Sequence, residues 1–296
     1  MNKERVAAVG SFDGMHKGHK AVLSKVKEIS SGMDLQPVAI TFDRHPLSLI
    51  SPERTPRLLT TLNEKQRLIR RLGIEPIVVT FDQKLRQTTA AEWIRYLKEN
   101  LNVSHLVVGY DNTFGSDGVN YSIADIKRLG EEIGVKVSEA PRIDGISSSR
   151  IRKAVSSGDM EEANKMLGRN FILSGKIIRG NGIGHNIGFP TANVSVSPEM
   201  ATPADGVYAV AAIMPDGKRL PAMVNIGVRP TVKRGNGRVI EANIIGWNGD
   251  LYGRDLTLEF IEFMRPEKEF KGIGELRRQL EEDRERALKI INDGNN

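Results

Sequence analysis

Hydrophobic residues in the first half of the chain form short runs that alternate with polar segments of helical spacing. Five of these runs predict strands, at Val6–Val9, Pro37–Phe42, Pro76–Phe81, His105–Gly109 and Val135–Val137. Capping boxes predict helices between them, at Thr61 with Glu64, Thr89 with Glu92 and Ser122 with Asp125. Buried strands that alternate with helices predict a parallel α/β sheet covered on both faces, with ligands beyond the carboxyl ends of its strands.

The hydrophobic pattern changes near Phe171. Short alternating runs separated by turn residues predict strands at Gly206–Ile213, Leu220–Gly227, Val239–Ile245 and Leu256–Met264. Strands at this spacing indicate a small, mainly antiparallel barrel or sandwich. A terminal helix is predicted over Glu275–Ile291, with one apolar face formed by Leu276, Leu280, Ala287 and Ile291. We therefore predict two domains, residues 1–168 and residues 169–296.

Composition narrows the class of protein. A length of 296 residues suits two domains, and the absence of cysteine excludes disulfides and thiolate metal sites. The first apolar run is too short for a signal peptide, and no apolar stretch reaches the roughly 20 residues of a membrane span. We expect a cytoplasmic protein with no membrane partner.

The net charge of +6 raises the question of nucleic acid. No run of basic residues is longer than two, whereas nucleic-acid binders usually concentrate their cations on one face or tail. We expect no nucleic-acid partner. A mild positive excess suits small phosphorylated ligands equally well.

The first chemical motif directly follows the first predicted strand and reads Gly10-Ser11-Phe12-Asp13-Gly14-Met15-His16-Lys17-Gly18-His19. Its glycines and Asp13 predict a tight turn, and Gly18 opens the next helix. His16 and His19 then share one face near the helix N-terminus, where free N–H groups attract anions and imidazoles can donate to phosphate. A plain corner with two surface histidines is one alternative. A metal site is another, although no third ligand stands at zinc-type spacing.

A second motif, residues 146–152, follows the fifth predicted strand and leads into a helix. Ser147, Ser148 and Ser149 can cap that helix, and Arg152 can pair bidentately with phosphate. The same residues could be an ordinary cap and a solvated charge.

Residues 175–193 form a glycine-rich segment. Gly180, Gly182 and Gly184 allow the backbone to approach a ligand closely. The segment has neither the closing Gly-Lys-Ser/Thr of a Walker A loop nor the spacing of a dinucleotide-binding loop. By spacing alone it could also be a flexible linker.

These motifs resemble those of the bacterial bifunctional riboflavin kinases/FAD synthetases. The decapeptide is similar to the His-x-Gly-His signature of the nucleotidyltransferase superfamily, and Gly-Phe-Pro-Thr-Ala-Asn at 188–193 is similar to the riboflavin kinase block. Further matching blocks lie at 41–46, 107–115, 225–231 and 265–270. The resemblance covers nearly the whole chain. It implies an α/β Rossmann-like nucleotidyltransferase domain followed by a mainly antiparallel β-barrel with a C-terminal helix.

For the first domain, the resemblance implies transfer of an adenylyl group from ATP to FMN, with release of pyrophosphate. His16 and His19 are expected to donate to the triphosphate, Arg152 to stabilise the leaving group, and His45 and Asn112 to contact the flavin. The expected nucleotide-binding residues are Gly10, Ser11, Phe12, Asp13, Gly14, Gly18, Ser147, Ser148 and Ser149. Asn112 and Ser149 depart from the family, which often has an aromatic residue and Thr at these positions.

For the second domain, the resemblance implies ATP-dependent phosphorylation of riboflavin. Gly180, Gly182, Gly184 and Thr191 are expected to bind the nucleotide, and Thr191 and Asn193 to bind Mg²⁺. Glu241 is the expected general base, although it could instead be an ordinary outward-facing strand carboxylate. Arg265 is expected to contact the flavin. Asn243 replaces a histidine that relatives often carry, so that position has no acid–base role.

Three functions remain open at this point: an enzyme with both activities, an enzyme with one activity and a binding domain, or a flavin sensor without turnover. The joint presence of the expected catalytic residues favours the first, because a pure binder does not require a general base. The expected partners are ATP, riboflavin and FMN, and we expect a monomer or weak homo-oligomer.

Overall fold

The computed structural model describes residues 3–110, 115–118, 121–179, 188–228 and 238–293. The chain divides into two compact units, residues 1–148 and 149–296. The two helices over residues 149–167 therefore belong to the second unit, whereas our predicted boundary assigns them to the first domain. The predicted boundary between the adenylyl-transfer domain and the kinase domain, after residue 168, stays a prediction.

The first unit contains a five-stranded parallel sheet in the order β3-β2-β1-β4-β5. Its strands are β1 (Arg5–Val9), β2 (Gln36–Phe42), β3 (Glu75–Val79), β4 (Val103–Val108) and β5 (Lys136–Glu139). All five strands were predicted from their apolar runs. The parallel α/β architecture is therefore confirmed.

Helices cover both faces of this sheet, because successive residues of β1 point to opposite sides. Ala7 and Val9 belong to the core under the helices at residues 90–101 and 123–133, whereas Val6 and Ala8 belong to the core under the helices at residues 17–33 and 62–70. The three predicted capping boxes are all present. The helices are α1 (Lys17–Met33), α2 (Leu47–Ile50), α3 (Leu62–Arg70), α4 (Gln83–Gln87), α5 (Ala90–Leu101) and α6 (Ile123–Ile133), with a 3₁₀ turn at Pro52–Arg54.

The second unit is built around a closed, six-stranded antiparallel barrel in the order β10-β7-β6-β11-β8-β9. Its strands are β6 (Phe171–Ile178), β7 (Ala192–Ser195), β8 (Gly206–Ile213), β9 (Arg219–Val228), β10 (Arg238–Ile244) and β11 (Asp255–Arg265). The barrel was one of two predicted architectures, and it is the one observed. The strand β6 was not predicted.

Three helices complete the second unit and the segment leading into it. These are α7 (Ser148–Ser156), α8 (Met160–Leu167) and the terminal α9 (Ile273–Asp293). Asn164 ties α8 to the barrel, because its amide donates to Phe260 O at 2.9 Å and accepts from Phe171 N at 2.7 Å. The terminal helix packs on β8, β9 and β11, and its Ala287 and Ile291 join a core with Val207 and Met223.

None of the helices in the described parts of the chain combines the length and the apolar character needed to cross a membrane.

Candidate active sites

The turn between β1 and α1 has an unusual backbone. Phe12 and Met15 adopt φ values of 47° and 44°, in the left-handed region that residues with side chains rarely occupy. Gly14 has a φ of 82°, which glycine adopts without strain. Phe12 and Met15 are both buried. Such conformations cost on the order of 1–3 kcal/mol each, so the surrounding structure must hold this turn in place.

His16 and His19 lie together at the start of α1. His16 caps the helix, because its Nδ1 accepts a hydrogen bond from His19 N at 3.2 Å. The two rings stack with centroids 3.6 Å apart and planes 17° apart. Since Nδ1 of His16 is an acceptor, the proton of a neutral His16 ring lies on Nε2. The predicted shared face of the two histidines is thus present.

The pKa of His19 lies well below its ordinary value of 6.5 because of burial, the neighbouring His16 and the charge of Lys65. The His19 ring is therefore uncharged at neutral pH. Its buried Nδ1 has no hydrogen-bond partner within the described parts of the chain. A neutral imidazole donates through one nitrogen only, so His19 is suited to aligned N–H donation rather than to a charged contact.

Asp13 holds the turn to the segment before α3. Its Oδ1 accepts from Leu59 N at 2.9 Å and Thr60 N at 3.1 Å, and Thr60 Oγ1 accepts from Gly14 N at 3.0 Å. The predicted nucleotide-binding role of Asp13 stays a prediction. Its carboxylate also accepts from Thr60 Oγ1 at 3.4 Å.

Ser148, the last residue of the first unit, contacts the turn between β1 and α1. Ser148 Oγ donates to Asp13 O at 2.9 Å, and Ser147 precedes it in the chain. Ser149 and Arg152 fall in the second unit, so their predicted roles at the triphosphate stay predictions.

Lys65 is a residue of this region that sequence reasoning missed. Its Nζ donates to Ser11 O at 2.9 Å and to Phe42 O at 3.3 Å, at the carboxyl ends of β1 and β2. Burial lowers the pKa of Lys65 to about 8, although Asp13 and Asp43 act to raise it. The sequence shows only a lysine after a capping box, a position that is usually exposed to solvent.

The carboxyl end of β2 carries the predicted flavin residue His45. Its Nδ1 accepts from Leu47 N at 3.2 Å. Nearby, Asp43 Oδ1 accepts from Phe81 N at 2.9 Å. Burial acts to raise the pKa of Asp43, but the hydrogen bond from Phe81 and the Arg44 side chain lower it overall. The other predicted flavin residue of this unit, Asn112, lies outside the described residues.

A cleft of about 750 Å³ lies between α1 and the segment that follows β5. Its lining residues are Ala21, Ser24, Lys25, Glu28, Glu139, Ala140, Pro141 and Arg142. The Arg142 guanidinium lies 4.5 Å from the ring centre of Tyr110, which follows β4. None of the predicted catalytic, nucleotide-binding or flavin-binding residues is among those that line this cleft.

In the second unit, the predicted metal and base residues share one row across the barrel. Glu241 on β10 is directly opposite Asn193 on β7 and Asn225 on β9. Directly opposed residues of antiparallel strands point to the same face. The row continues through Val207 on β8 to Arg265 on β11.

This row lies on the outer face of the barrel. Ile240, Ala242 and Ile244 of β10 are buried and pair with apolar residues of β9, which places them inside. Because side chains alternate along a strand, Glu241 points outward. Asn193 is nevertheless buried, at 6% exposure, and Thr191 is exposed just before β7.

Two further polar residues adjoin Glu241 without having been given a role from the sequence. Asn225 Nδ2 donates to Glu267 Oε1 at 3.1 Å. The Glu267 carboxylate rests against Gly227, where any added Cβ would collide with it. Asn225 and Glu267 lie in the blocks at 225–231 and 265–270 that resemble the family, and this resemblance could have marked them as site residues. Asn243 is also buried, and its amide donates to Pro190 O at 2.8 Å.

Arg265 is engaged by the terminal helix. Its Nε and Nη2 donate to the carboxylate of Asp283, and its Nη1 donates to Pro266 O at 3.0 Å. The flavin contact of Arg265 stays a prediction, and all three guanidinium nitrogens have protein partners.

The donor set near Glu241 fits a hard cation. A threonine hydroxyl and an asparagine amide oxygen are ligand types that Mg²⁺ accepts alongside water and phosphate oxygens. Within the described ranges, no group of three or more His, Cys, Asp and Glu side chains could hold a metal ion. Gly180, Gly182 and Gly184, the predicted phosphate-binding glycines, lie outside the described residues.

Two family models match successive parts of the chain. Residues 1–154 match the FAD synthetase family model, and residues 167–291 match the riboflavin kinase family model.

Relatives with both regions span nearly the whole chain. A bifunctional riboflavin kinase/FMN adenylyltransferase from Bacillus subtilis is 35% identical, over 97% of this chain and 92% of its own length. Proteins of the same description from Listeria monocytogenes and Escherichia coli are each 34% identical, over 94% of this chain and 90% of their own lengths.

A solved structure is similar over its full length. It is described as a macrolide-efflux protein from Streptococcus pneumoniae, and it is 29% identical with a TM-score of 0.86, covering 96% of this chain and 94% of its own.

Proposed function

Because the chain belongs to the family of bifunctional riboflavin kinase/FMN adenylyltransferases, we propose that its two units make FAD from riboflavin in two successive ATP-dependent steps. The enzyme phosphorylates riboflavin to FMN and adenylylates FMN to FAD. The second unit carries the kinase step, and the first unit carries the adenylyl transfer. The observation that supports this assignment best is the direct pairing of Glu241 with Asn193 on the barrel, in a unit separate from the histidine turn.

In the kinase step, the riboflavin 5′-hydroxyl oxygen attacks the γ-phosphorus of ATP. A new O–P bond forms, the bond from the γ-phosphorus to the bridging oxygen breaks, and ADP leaves. Glu241 takes the hydroxyl proton, a role that contributes typically 10²–10⁴-fold to a rate. Its outward position beside Asn193 and Asn225 supports this role.

In the adenylyl transfer, a phosphate oxygen of FMN attacks the α-phosphorus of ATP and pyrophosphate leaves. No covalent intermediate with the enzyme is required. His16 and His19 donate N–H groups to the triphosphate, and the stacking of their rings supports this role because it orients both rings before the reaction. Arg152 and the three serines at 147–149 complete the proposed phosphate contacts.

We propose Mg²⁺ as the metal of the kinase step, held by Thr191 and Asn193 together with nucleotide phosphates. When bound, the ion neutralises phosphate charge and orients the nucleotide. Asn193 is well placed for this, because it is buried on the same row as the proposed base.

We further propose that the enzyme works in the cytoplasm, since both of its steps consume ATP and its bacterial relatives are metabolic enzymes by description. A monomer or weak homo-oligomer stays our prediction for its assembly.

A product assay tests the assignment. Purified protein is incubated with ATP, Mg²⁺ and either riboflavin or FMN, and the flavins are separated by chromatography. Glu241→Gln should stop FMN formation and spare the conversion of FMN to FAD, whereas His19→Ala should do the opposite.

Glu259→Gln is the matched control for Glu241, because it removes another carboxylate from a barrel strand. It should leave both steps intact. If Glu241→Gln or His19→Ala abolished both steps in folded protein, the assignment of one step to each unit would be wrong.

A further inference from the structure

We propose that Lys65 is a positioning residue for adenylyl transfer, whose ammonium group holds the turn between β1 and α1 in the shape that ATP requires. This inference rests on the proposed function of the first unit. It assigns a role to a side chain on α3, outside the histidine motif at residues 10–19.

The first support is where the ammonium group lies. Lys65 Nζ bonds Ser11 O, inside the turn, and Phe42 O, at the end of the neighbouring strand. Ser11 O also accepts from Thr41 Oγ1 at 3.2 Å. One lysine therefore joins the carboxyl ends of β1 and β2 at the point where the predicted phosphate-binding residues begin.

The second support is the strain in the turn itself. Phe12 and Met15 are held at positive φ, a conformation that persists only when neighbouring groups over-determine it. Residues 59–65, which we name the 59–65 clamp, supply those neighbours. Asp13 is bound to the backbone of the clamp at Leu59 and Thr60, and Lys65 binds the turn at its other end.

The clamp includes the capped N-terminus of α3. Thr61 and Glu64 form a complete capping box, and Glu64 is buried at 3% exposure. Lys65 is the next residue and is 9% exposed. The backbone of Lys65 thus belongs to the first turn of α3, from which its side chain reaches the turn between β1 and α1.

The third support is electrostatic. Lys65 acts on His19, since its charge helps to lower the pKa of that ring. The charged and titratable groups around it are Asp13 in the turn, Asp43 after β2, His19 on α1 and Arg44, which lies 3.4 Å from Asp43. Burial brings the pKa of Lys65 to about 8, so its charge is lost within an accessible pH range.

The experiment uses the full chain with Lys65→Met, Lys65→Arg and Arg67→Met. Arg67 is the matched control, because it is an exposed cation on the same helix two residues later. Conversion of FMN to FAD gives kcat and KM for the first unit. Conversion of riboflavin to FMN in the same preparations reports an intact second unit.

Lys65→Met should lower kcat for FAD formation by about 10²-fold, the typical loss of one preorganised group, and leave riboflavin phosphorylation unchanged. Arg67→Met should change neither. Lys65→Arg should restore part of the kcat, because arginine keeps the charge and the donors. Full FAD formation by Lys65→Met would overturn the proposal.

The pH dependence of kcat/KM for FAD formation shows whether Lys65 acts through its charge or only by filling space. In the unmodified protein, kcat/KM for FAD formation should fall above about pH 8, where Lys65 loses its proton. In Lys65→Arg this alkaline limb should move upward by more than about one pH unit, because arginine stays charged. An unmoved limb would overturn the proposal even if Lys65→Met proved too unstable to assay. No FAD from the unmodified protein would instead reject the adenylyl-transfer function, and the role of Lys65 with it.

Discussion

Arg265 and Asp283 form a buried bidentate ion pair that joins β11 to α9. Arg265 Nε lies 2.9 Å from Asp283 Oδ1, and Nη2 lies 2.6 Å from Oδ2. The aspartate side chain is 4% exposed and the arginine side chain 18%. Gln279 adds a further donor to Asp283 at 3.2 Å. The buried Asp283 carboxylate on the terminal helix is thus paired with an opposite charge.

Removing one partner of this pair should destabilise the second unit strongly. Asp283→Asn leaves the Arg265 guanidinium buried without its counter-charge, and breaking a buried pair costs about 3–5 kcal/mol. Unfolding in urea is followed by the fluorescence of Trp247 in a Trp93→Phe background. The chain has two tryptophans, one in each unit, so this signal reports the second unit alone.

The exposed pair on the same helix is the control. Arg277 and Glu281 lie 3.2 Å apart at i,i+4 spacing with both side chains largely in water. Glu281→Gln should change the free energy of unfolding by less than about 0.5 kcal/mol. Equal effects of the two substitutions would contradict the claim that the Arg265–Asp283 pair anchors α9.

Much of the fold was predictable because its signals are local. A capping box such as Thr61 with Glu64 needs only residues three apart, and each parallel strand is a single apolar run. The strand Phe171–Ile178 escaped prediction because Ser174, Gly175 and Lys176 interrupt its apolar residues. Its place is set by pairing with β7 and β11, which no local pattern reveals.

Site residues that belong to a sequence motif could be predicted. Polar residues that contact the site from distant parts of the chain could not. His16 and His19 adjoin in sequence and in space. Lys65 binds a carbonyl 54 residues away, and Asp283 binds a guanidinium 18 residues away. Both read as solvated charges on helices, because spacing along the chain carries no information about a partner brought in by tertiary packing.

Gly18 leaves room for the capping histidine. A Cβ at this position would lie 3.2 Å from both Cε1 and Nδ1 of His16. Because His16 is buried and stacked on His19, its ring would have to shift by a few tenths of an ångström against both the stack and the cap. Gly18→Ala should therefore lower kcat/KM for FAD formation at least about 10-fold, measured with FMN as substrate.

Gly32 offers a matched control on the same helix. A Cβ there meets nothing within 4 Å. Gly32→Ala should leave FAD formation unchanged and stabilise the first unit by up to about 1 kcal/mol, because alanine favours the helix. If both alanines were equally harmless to FAD formation, the proposed need for a fixed His16 ring would be wrong.

Gly227 plays a comparable part beside Glu241. A side chain there would displace the Glu267 carboxylate and, through it, the amide of Asn225 that lies opposite the proposed base. Gly227→Ala should lower kcat for riboflavin phosphorylation about 10-fold or more and leave the conversion of FMN to FAD unchanged. Gly272→Ala, whose Cβ meets nothing within 4 Å, should preserve both. A Gly227→Ala enzyme with normal kinase kcat would show that Glu267 and Asn225 do not position Glu241.

Acidification should destabilise the first unit through His19. Its pKa in the folded protein lies well below the ordinary 6.5 because of burial, His16 and Lys65, so the unfolded chain binds a proton that the folded state does not. Stability is therefore greatest above about pH 6.5 and is lost as the pH falls towards the folded pKa, by up to about 1.4 kcal/mol per pH unit for one proton. Urea unfolding followed by Trp93 fluorescence in a Trp247→Phe background measures this slope.

Two substitutions separate the contributions of His19 and His105 to the pH dependence of the unfolding free energy. His19→Gln should reduce the slope below pH 6.5 by about one proton, because glutamine does not titrate. The pKa of His105 is also lowered, by burial and by Lys136 and Lys25, so a residual slope should persist in His19→Gln and diminish further when His105→Gln is added. A His19→Gln protein with the original slope would mean that the His19 ring is charged in the folded state, and that it meets the triphosphate as a cation rather than as a neutral donor.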